Sequence, residues 1–251
     1  MKETKSAIAK TETKEKISNA ETAGKHAREV LKLSNVCKKY EMGDTVVEAL
    51  SDVNISVLKG ESVAIMGPSG SGKSTMLHML GCLDRPTSGT ISIDGITTSS
   101  LDDDELSKVR NKKIGFVFQS FFLIPTLTVL ENVALPMSFA GFDSEEQARR
   151  ATFLLQRVGL GDRMHHKPSE LSGGQRQRAA IARSLVNNPA IILADEPTGN
   201  LDSKSGISIM QLFEELHKEG RTIITVTHDA NIVKHAQRVI YLKDGKVVKS
   251  L

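Results

Sequence analysis

The clearest chemistry in the sequence is carried by eight consecutive residues, Gly67-Pro68-Ser69-Gly70-Ser71-Gly72-Lys73-Ser74. They match the pattern G-x-x-x-x-G-K-[ST], in which glycines let backbone N–H groups turn toward an anion. In that pattern the lysine reaches the β and γ phosphates of a nucleotide, and the closing serine can ligate Mg²⁺. A Gly/Ser-rich turn is the alternative, but an apolar run precedes the motif and helical spacing follows it, as the pattern requires. The segment therefore predicts a site for a nucleoside triphosphate.

Two adjacent carboxylates, Asp195 and Glu196, follow the apolar run from Ile191 to Ala194. The run predicts a buried strand, and open α/β sheets bind ligands at the carboxyl ends of their strands. Because adjacent strand residues point in different directions, we expect Asp195 to hold Mg²⁺ and Glu196 to act as a general base on water. Pro197 is expected to restrain Glu196 to an extended backbone. A solvated acidic pair at a strand end is the alternative.

Gln119 and His228 follow two further apolar runs, Ile114 to Phe118 and Ile223 to Val226. Gln119 is a candidate for ligating Mg²⁺ or orienting water, and His228 is a candidate for hydrogen bonding to the γ-phosphate. Taken singly, each residue is better explained as a loop residue with its own hydrogen bonds. Parallel strands would bring all of these polar residues to one crevice, and that convergence favours the catalytic interpretation.

The segment Leu171-Ser172-Gly173-Gly174-Gln175 opens a predicted helix. Ser172 and Gln175 have the S-x-x-Q spacing of a capping box, which is the structural alternative. Two glycines in a first helical turn cost roughly 1 kcal/mol each relative to alanine, so capping alone does not account for them. They suit a helix N-terminus that approaches an anion closely. Because the phosphate loop already serves one nucleotide, this second anion site is predicted to act on a nucleotide held by another subunit.

Apolar periodicity predicts the elements that hold these residues. Alternating residues predict an antiparallel β layer at the start of the domain: Leu31 and Leu33, then Val53, Ile55 and Val57, then Ile91 and Ile93. Four short runs, Val63 to Met66 and the three named above, predict a buried parallel sheet. Helical spacing covers Leu101 to Asn111, Ser144 to Val158, Gly173 to Leu185 and Ser203 to Glu219. Strands that alternate with helices in this way indicate an α/β core, and Asp244-Gly245 predicts a closing hairpin.

Composition sets limits on the rest of the chain. Residues 1–28 carry seven Lys or Arg and four Glu with almost no large apolar side chains, which predicts a flexible tail or a frayed helix. That tail accounts for the whole formal charge of +3, so a basic nucleic-acid-binding body is not expected. No apolar run approaches the roughly 18 residues that span a bilayer, and no signal peptide is evident. Cys37 and Cys82 are predicted to be free thiols in a cytosolic protein.

In their order, these motifs resemble those of ABC transporter ATPases, and the resemblance covers about Val30 to Ser250. It identifies Gln119 with the Q-loop, Leu171 to Gln175 with the signature, Ile191 to Glu196 with Walker B and His228 with the switch histidine. Asn200-Leu201-Asp202 corresponds to the D-loop. Tyr40 occupies the aromatic position that stacks on adenine in the family, although from the sequence alone it is equally a core residue.

The resemblance implies a P-loop NTPase core with a parallel sheet, an antiparallel β subdomain and a helical signature subdomain at about residues 120–185, within one domain over residues 29–250. It implies ATP and Mg²⁺ as ligands, bound in a head-to-tail homodimer. Lys73, Gln119, Glu196 and His228 would be catalytic, and Ser74, Gln119 and Asp195 would hold the metal. The nucleotide-binding set comprises Tyr40, Gly67, Pro68, Ser69, Gly70, Ser71, Gly72, Lys73, Ser74, Thr75, Ser172, Gly173, Gly174, Gln175 and Asp202.

The stretches Gly81 to Asp84, Leu101 to Leu106 and Leu127 to Val133 further resemble the subgroup that serves lipoprotein release and macrolide export. This likeness implies a separate integral-membrane permease as partner, with the ATPase peripheral on the cytoplasmic face of the membrane. A regulator that gates a partner without transport is the alternative within the same subgroup. A soluble ABC ATPase acting on DNA or ribosomes is disfavoured, because the chain has neither a long coiled-coil insertion nor a second cassette.

Overall fold

The computed structural model describes residues 28–43 and 45–250, so the predicted tail lies outside the described residues except for Arg28. The strands are β1 Glu29–Met42, β2 Thr45–Leu58, β3 Ser62–Met66, β4 Ser88–Ile93, β5 Ile96–Thr97, β6 Ile114–Val117, β7 Ile191–Asp195, β8 Ile223–Thr227, β9 Arg238–Lys243 and β10 Lys246–Val248. The helices are α1 Lys73–Leu80, α2 Asp103–Lys113, α3 Val129–Phe139, α4 Ser144–Arg157, α5 Gly173–Leu185, α6 Ser203–Lys218 and α7 Ala230–Val233.

A six-stranded sheet of order β10-β9-β3-β8-β7-β6 forms the centre of the molecule. The four strands predicted from continuous apolar runs are β3, β6, β7 and β8, and the neighbouring pairs among them are parallel. β9 also pairs parallel to β3, whereas the sequence predicted only its hairpin with β10. Since parallel strands end at the same edge, the residues after β3, β6, β7 and β8 meet there.

The antiparallel β layer predicted from alternating residues is a four-stranded sheet of order β2-β1-β4-β5. Its inward side chains, among them Leu33 and Val53, share one apolar cluster with Met76 and Leu80 of α1. This shared cluster packs the antiparallel sheet against the phosphate-loop helix, because neither face can be left exposed to water without losing the hydrophobic stabilisation.

Helices α3, α4 and α5 form a layer beside β6 with a second apolar cluster. The sequence prediction of individual helices missed α3, although its capping box, Thr128 with Glu131, is a recognisable start signal. α5 approaches β6 closely: a Cβ built at Gly115 would lie 2.1 Å from the carbonyl oxygen of Ser184. Among the helices in the described ranges, none is long and apolar enough to cross a membrane.

The closing hairpin turns at Asp244 and Gly245, whose φ angles are 48° and 74°. Two consecutive positive φ angles are the geometry of the tight hairpin turn that Asp-Gly favours, so this prediction is confirmed. The turn also supports the phosphate loop, because the N–H of Gly245 donates to the carbonyl oxygen of Ser71 over 3.0 Å.

Candidate functional site

The phosphate loop connects β3 to α1 and is closely packed from beneath. A Cβ at Gly67 would lie 2.2 Å from the carbonyl oxygen of Leu242, and one at Gly72 would lie 2.6 Å from that of Ala49. Gly72 also has a φ of 99°, which L side chains rarely adopt. The loop therefore requires glycine at both positions, and β9 and β2 fix its height above the sheet.

Two polar groups of the loop suit an anion. The hydroxyl of Ser71 is buried, with the residue only 2% exposed, and it has no hydrogen-bond partner among the described residues. The ammonium of Lys73 lies across the loop and donates to the carbonyl oxygens of Gly67, over 2.8 Å, and Pro68, over 2.7 Å. An unpartnered hydroxyl, a cation and the N-terminus of α1 converge here, so the loop fits the triphosphate predicted from its sequence.

Asp195 is the last residue of β7 and is half-buried. Burial raises the pKa of its carboxyl, and the charge of Glu196 raises it further, whereas the nearby His78 and Lys73 lower it. Its surroundings therefore stabilise the charged carboxylate less than water does, and a further positive charge nearby would offset this. A carboxylate beside a phosphate loop, with this electrostatic setting, fits a Mg²⁺ that also binds phosphate oxygens.

Glu196 follows β7 with a φ of 42°, so the expected extended backbone before Pro197 is wrong. Contacts from β8 hold the carboxylate in place: Thr227 Oγ1 donates to one oxygen over 2.8 Å, and the N–H of His228 donates to the other over 2.8 Å. His228 Nδ1 also lies 2.5 Å from that second oxygen. These tertiary contacts, together with the bond from Glu196 N–H to the Val226 carbonyl oxygen, outweigh the local preference of a residue before proline.

His228, the switch candidate, and Glu196, the base candidate, are thus in direct contact. The His228 side chain is 74% exposed, whereas that of Glu196 is only 14% exposed, so the histidine covers the carboxylate on its solvent side. Thr227 is fully buried and was missed from the sequence, where a threonine at the end of a strand is an ordinary strand former. Its position one residue before the predicted histidine is the only sequence signal that it belongs to the site.

Gln119 lies beyond β6 and contacts the loop that follows Glu196. Its side chain donates to Asn200 Oδ1 over 3.3 Å, and the Asn200 amide donates back to the Gln119 carbonyl oxygen over 3.1 Å. Beneath them the fully buried Gln177 donates to the carbonyl oxygens of Pro197, over 2.6 Å, and Phe118, over 3.3 Å. Gln177 was not a candidate from the sequence, because the bonds it makes are visible only once these loops are adjacent.

Ser172 begins α5 and forms the capping box that was the structural alternative. Its N–H donates to the Gln175 side chain over 2.9 Å, and Gln175 N–H donates to Ser172 Oγ over 3.2 Å. The glycines that follow have a packing reason as well, since a Cβ at Gly173 would lie 3.2 Å from Leu201 and one at Gly174 would lie 3.0 Å from Ser205. This turn therefore packs on the start of α6, and its capping bonds stay within the turn.

Asp202 is the N-cap of α6 and accepts a hydrogen bond from Ser205 N–H over 3.0 Å. Its hydrogen bonds with Ser205 hold the pKa of its carboxyl below the ordinary value, and the residue is exposed. Tyr40 lies on β1 and is half-buried rather than part of the apolar core. Its hydroxyl donates to Asp84 over 3.2 Å.

A protein-family model described as ABC transporter matches residues 50–199, which is more than half of the chain. The chain belongs to the ABC transporter family. Proteins similar in sequence to this ABC ATPase include other ATP-binding proteins of transporters. An uncharacterized ABC transporter ATP-binding protein of Thermotoga maritima is 54% identical over 220 residues, 88% of this chain and 94% of that protein. The macrolide export ATP-binding/permease protein MacB of Bartonella henselae is 51% identical over 224 residues, which is 89% of this chain but 34% of MacB.

Solved structures show the same fold. A dimeric structure of the ATP-binding cassette MJ0796 in a post-hydrolysis state, bound to ADP and Pi, is 55% identical and has a TM-score of 0.80. The match covers 87% of this chain and 97% of the MJ0796 chain. The corresponding protein of Methanocaldococcus jannaschii is 57% identical over 223 residues. The predicted α/β P-loop fold, ATP binding and membership of the ABC ATPases are therefore confirmed.

Within this ABC ATPase, the predicted residues other than Tyr40 form two separate groups. The phosphate loop, Asp195, Glu196 and His228 meet at the carboxyl edge of the parallel sheet, and Gln119 joins them through the loop after β7. The signature turn and Asp202 form a second group at the starts of α5 and α6. The first group has the parts for binding and attacking a triphosphate, while the second presents an exposed helix N-terminus.

Proposed function

We propose that this ATPase works as a head-to-tail homodimer in which each ATP is bound between two chains. The phosphate loop of one chain would face Ser172 to Gly174 of the partner, with Asp202 at the contact. The separation of the two groups within one chain supports this arrangement, because the signature turn makes its capping bonds to itself and leaves the N-terminus of a 13-residue helix exposed. A helix N-terminus of that length is favourable for the γ-phosphate of another subunit.

The metal-binding residues in this proposal are Ser74, Gln119 and Asp195. Bound there, Mg²⁺ would neutralise the charge on the phosphate oxygens. In the described part of the chain, no cluster of three His, Cys, Asp or Glu side chains could hold a metal ion. That result fits magnesium, which is usually bound through one or two carboxylates together with substrate phosphates and waters.

The proposed reaction is in-line hydrolysis of ATP. The oxygen of a water forms a bond to the γ-phosphorus, the bond from that phosphorus to the bridging oxygen breaks, and the electron pair leaves with ADP. Glu196 accepts the proton of the attacking water; Thr227 and His228 hold its carboxylate in a fixed orientation. Lys73 stabilises the charge on the β and γ phosphates. His228 is close enough to respond to loss of the γ-phosphate, since it contacts the base directly.

The membrane partner is proposed to dock in a groove between α2 and α3. This cavity has a volume of about 760 Å³. Aromatic side chains line it, and Phe122 and Phe139 are 61% and 78% exposed. Among the described residues that line it, four are basic and none is acidic: Lys108, Arg110, Lys112 and Arg183.

The charges of this groove favour one kind of partner segment. Burial lowers the pKa of the Arg183 guanidinium to about 10, and its bonds go to backbone carbonyl oxygens of Phe121 and Phe122 rather than to a carboxylate. A permease helix that combines an apolar face with a carboxylate would complement the groove. In this proposal the ATPase is peripheral on the cytoplasmic face of the membrane and drives export, extraction or mechanical transmission by the permease.

The shared site is tested with Glu196→Gln, which keeps the shape of the side chain and removes the base. Size-exclusion chromatography with ATP, and separately without nucleotide, should show a dimer only with ATP. ATP hydrolysis should fall by about 10²- to 10⁴-fold, the usual worth of a general base. Normal turnover by this variant would refute the assignment of Glu196. A persistent monomer with bound ATP would refute the proposal that the signature turn of one chain binds the ATP of the other.

The docking groove is tested separately by cross-linking to a co-expressed permease. Ser120→Cys lies beside Phe121 and Phe122, and Thr97→Cys on β5 is the matched control at a distant strand. Both variants are made with Cys37→Ser to remove the accessible native thiol. Cross-linking at residue 120 with none at residue 97 supports the groove. Equal cross-linking at both positions, or none at residue 120, refutes it.

A further inference from the structure

Three side chains form a polar cluster next to the position proposed to bind the nucleotide base: Lys38, Tyr40 and Asp84. The Lys38 ammonium lies 4.9 Å from the centroid of the Tyr40 ring. It also forms an ion pair of 2.7 Å with Asp84 Oδ1, while the Tyr40 hydroxyl donates to Asp84 Oδ2 over 3.2 Å. One carboxylate therefore holds both the cation above the ring and the hydroxyl at its edge.

The cluster adds side-chain bonds between two parts of the molecule that the pairing of β1 with β4 also joins. Tyr40 belongs to β1 of the antiparallel sheet, whereas Asp84 follows α1, the helix that starts at the phosphate loop. Lys38 reinforces this link by donating to the Arg85 carbonyl oxygen over 2.8 Å, and Lys39 N–H donates to Thr87 Oγ1 over 2.9 Å. The distance from the aromatic ring to the phosphate loop is thereby fixed.

The geometry also decides which ring face is available. The Lys38 side chain is only 13% exposed, so it fills the space over one face of Tyr40. A lysine buried to that degree needs charge compensation, which Asp84 and the electron-rich ring face supply. A flat ligand such as a purine base would therefore have to stack on the face of the half-buried ring that Lys38 does not occupy.

We infer that Lys38 and Asp84 are positioning residues for base recognition, which hold the Tyr40 ring at a set distance from the phosphate loop. This inference rests on the proposed function, in which Tyr40 stacks on the adenine of ATP. It gives a role to Asp84, the last residue of the Gly81 to Asp84 stretch, and to Lys38. Both act on the nucleotide only through the Tyr40 ring.

The experiment measures calorimetric affinities of the full chain for two probes, a non-hydrolysable ATP analogue and inorganic tripolyphosphate, which lacks the base. Tyr40→Ala should weaken binding of the analogue by about 5- to 150-fold, the usual worth of base–aromatic stacking. Asp84→Ala and Lys38→Met should each weaken it by about two- to tenfold. None of the three should change the affinity for tripolyphosphate. Asp103→Ala, which removes an exposed carboxylate paired with Arg85, is the matched control and should change neither affinity.

A double-mutant cycle separates positioning from general structure. In the Tyr40→Ala background, Asp84→Ala should have no further effect on binding of the analogue, because the ring through which it acts is gone. An equal effect in both backgrounds, or loss of tripolyphosphate binding, overturns the inference. If Tyr40→Ala leaves analogue binding unchanged, the proposed stacking itself is wrong. If only Tyr40→Ala weakens binding of the analogue, the stacking is supported and the positioning role of Lys38 and Asp84 is refuted. Asp84→Asn, which keeps the shape and removes the ion pair, replaces Asp84→Ala if that variant does not fold.

Discussion

Thr227→Val removes the hydroxyl that holds the carboxylate of Glu196 and keeps the shape of a fully buried side chain. Thr227 Oγ1 donates to Glu196 over 2.8 Å and accepts from Asp229 N–H over 3.0 Å. A hydrogen bond to a charged group is worth about 1.5–3 kcal/mol and a neutral one about 1 kcal/mol. We therefore expect the free energy of unfolding to fall by about 2.5–4 kcal/mol, measured by urea denaturation.

The same substitution should affect catalysis selectively. If losing the hydrogen bond to Glu196 raises the activation free energy by the full worth of that bond, the ATPase rate falls by about 10- to 100-fold. Affinity for ATP should not change, since Thr227 is not part of the phosphate loop. Thr225→Val, the same exchange two residues earlier on β8, is the control. A Thr227→Val enzyme as active as the Thr225→Val enzyme would refute the argument that the hydroxyl positions the base.

Four further predictions concern other parts of the fold. Gly115→Ala should lower the free energy of unfolding by about 1–3 kcal/mol or more, because its Cβ would lie 2.1 Å from a carbonyl oxygen of α5. Gly206→Ala, inside α6 with 3.6 Å to its nearest neighbour, should raise it by up to about 1 kcal/mol in the same urea titration. Burial alone would raise the pKa of Asp84, but hydrogen bonds and the adjacent lysine hold it below 3.8, so this carboxylate stabilises the fold above that pH and loses its effect as pH falls below it. The stability difference between the wild type and Asp84→Asn should therefore be smaller at pH 3 than at pH 7. Burial raises the pKa of Cys82 to about 11, so a thiol reagent at pH 8 should label Cys37 in the native protein and both cysteines only after denaturation.

Local patterns were enough to predict most elements and the contents of the first residue group. Continuous apolar runs predicted β3, β6, β7 and β8 because strands buried on both faces have no polar side to show. The phosphate loop could be predicted because its glycines have a local cause. Only a residue without a side chain lets the backbone come this close to an anion and to the strands beneath.

The features that could not be predicted depend on contacts distant in sequence. The φ of Glu196 is set by Thr227 and His228, which are more than thirty positions away, and these outweigh the preference imposed by the next residue. Gln177 can link the loops after β6 and β7 only because the fold brings the carbonyl oxygens of Phe118 and Pro197 next to its side chain. The pairing of Lys38 with Asp84 likewise joins β1 to the segment after α1, and the hydrophobic pattern of neither segment indicates it.

The place of β3 in the sheet has a consequence for how this protein is made. Its two neighbours, β8 and β9, come much later in the chain, and β9 ends at Lys243, 177 positions after Met66. At usual translation rates of 5–20 residues per second, roughly 9–35 s pass before both edges of β3 can be paired. The phosphate loop has no support from Leu242 or Gly245 during that interval. A nascent chain should therefore be sensitive to proteases and dependent on chaperones until β9 has left the ribosome, and ATP can assist folding of this domain only after that point.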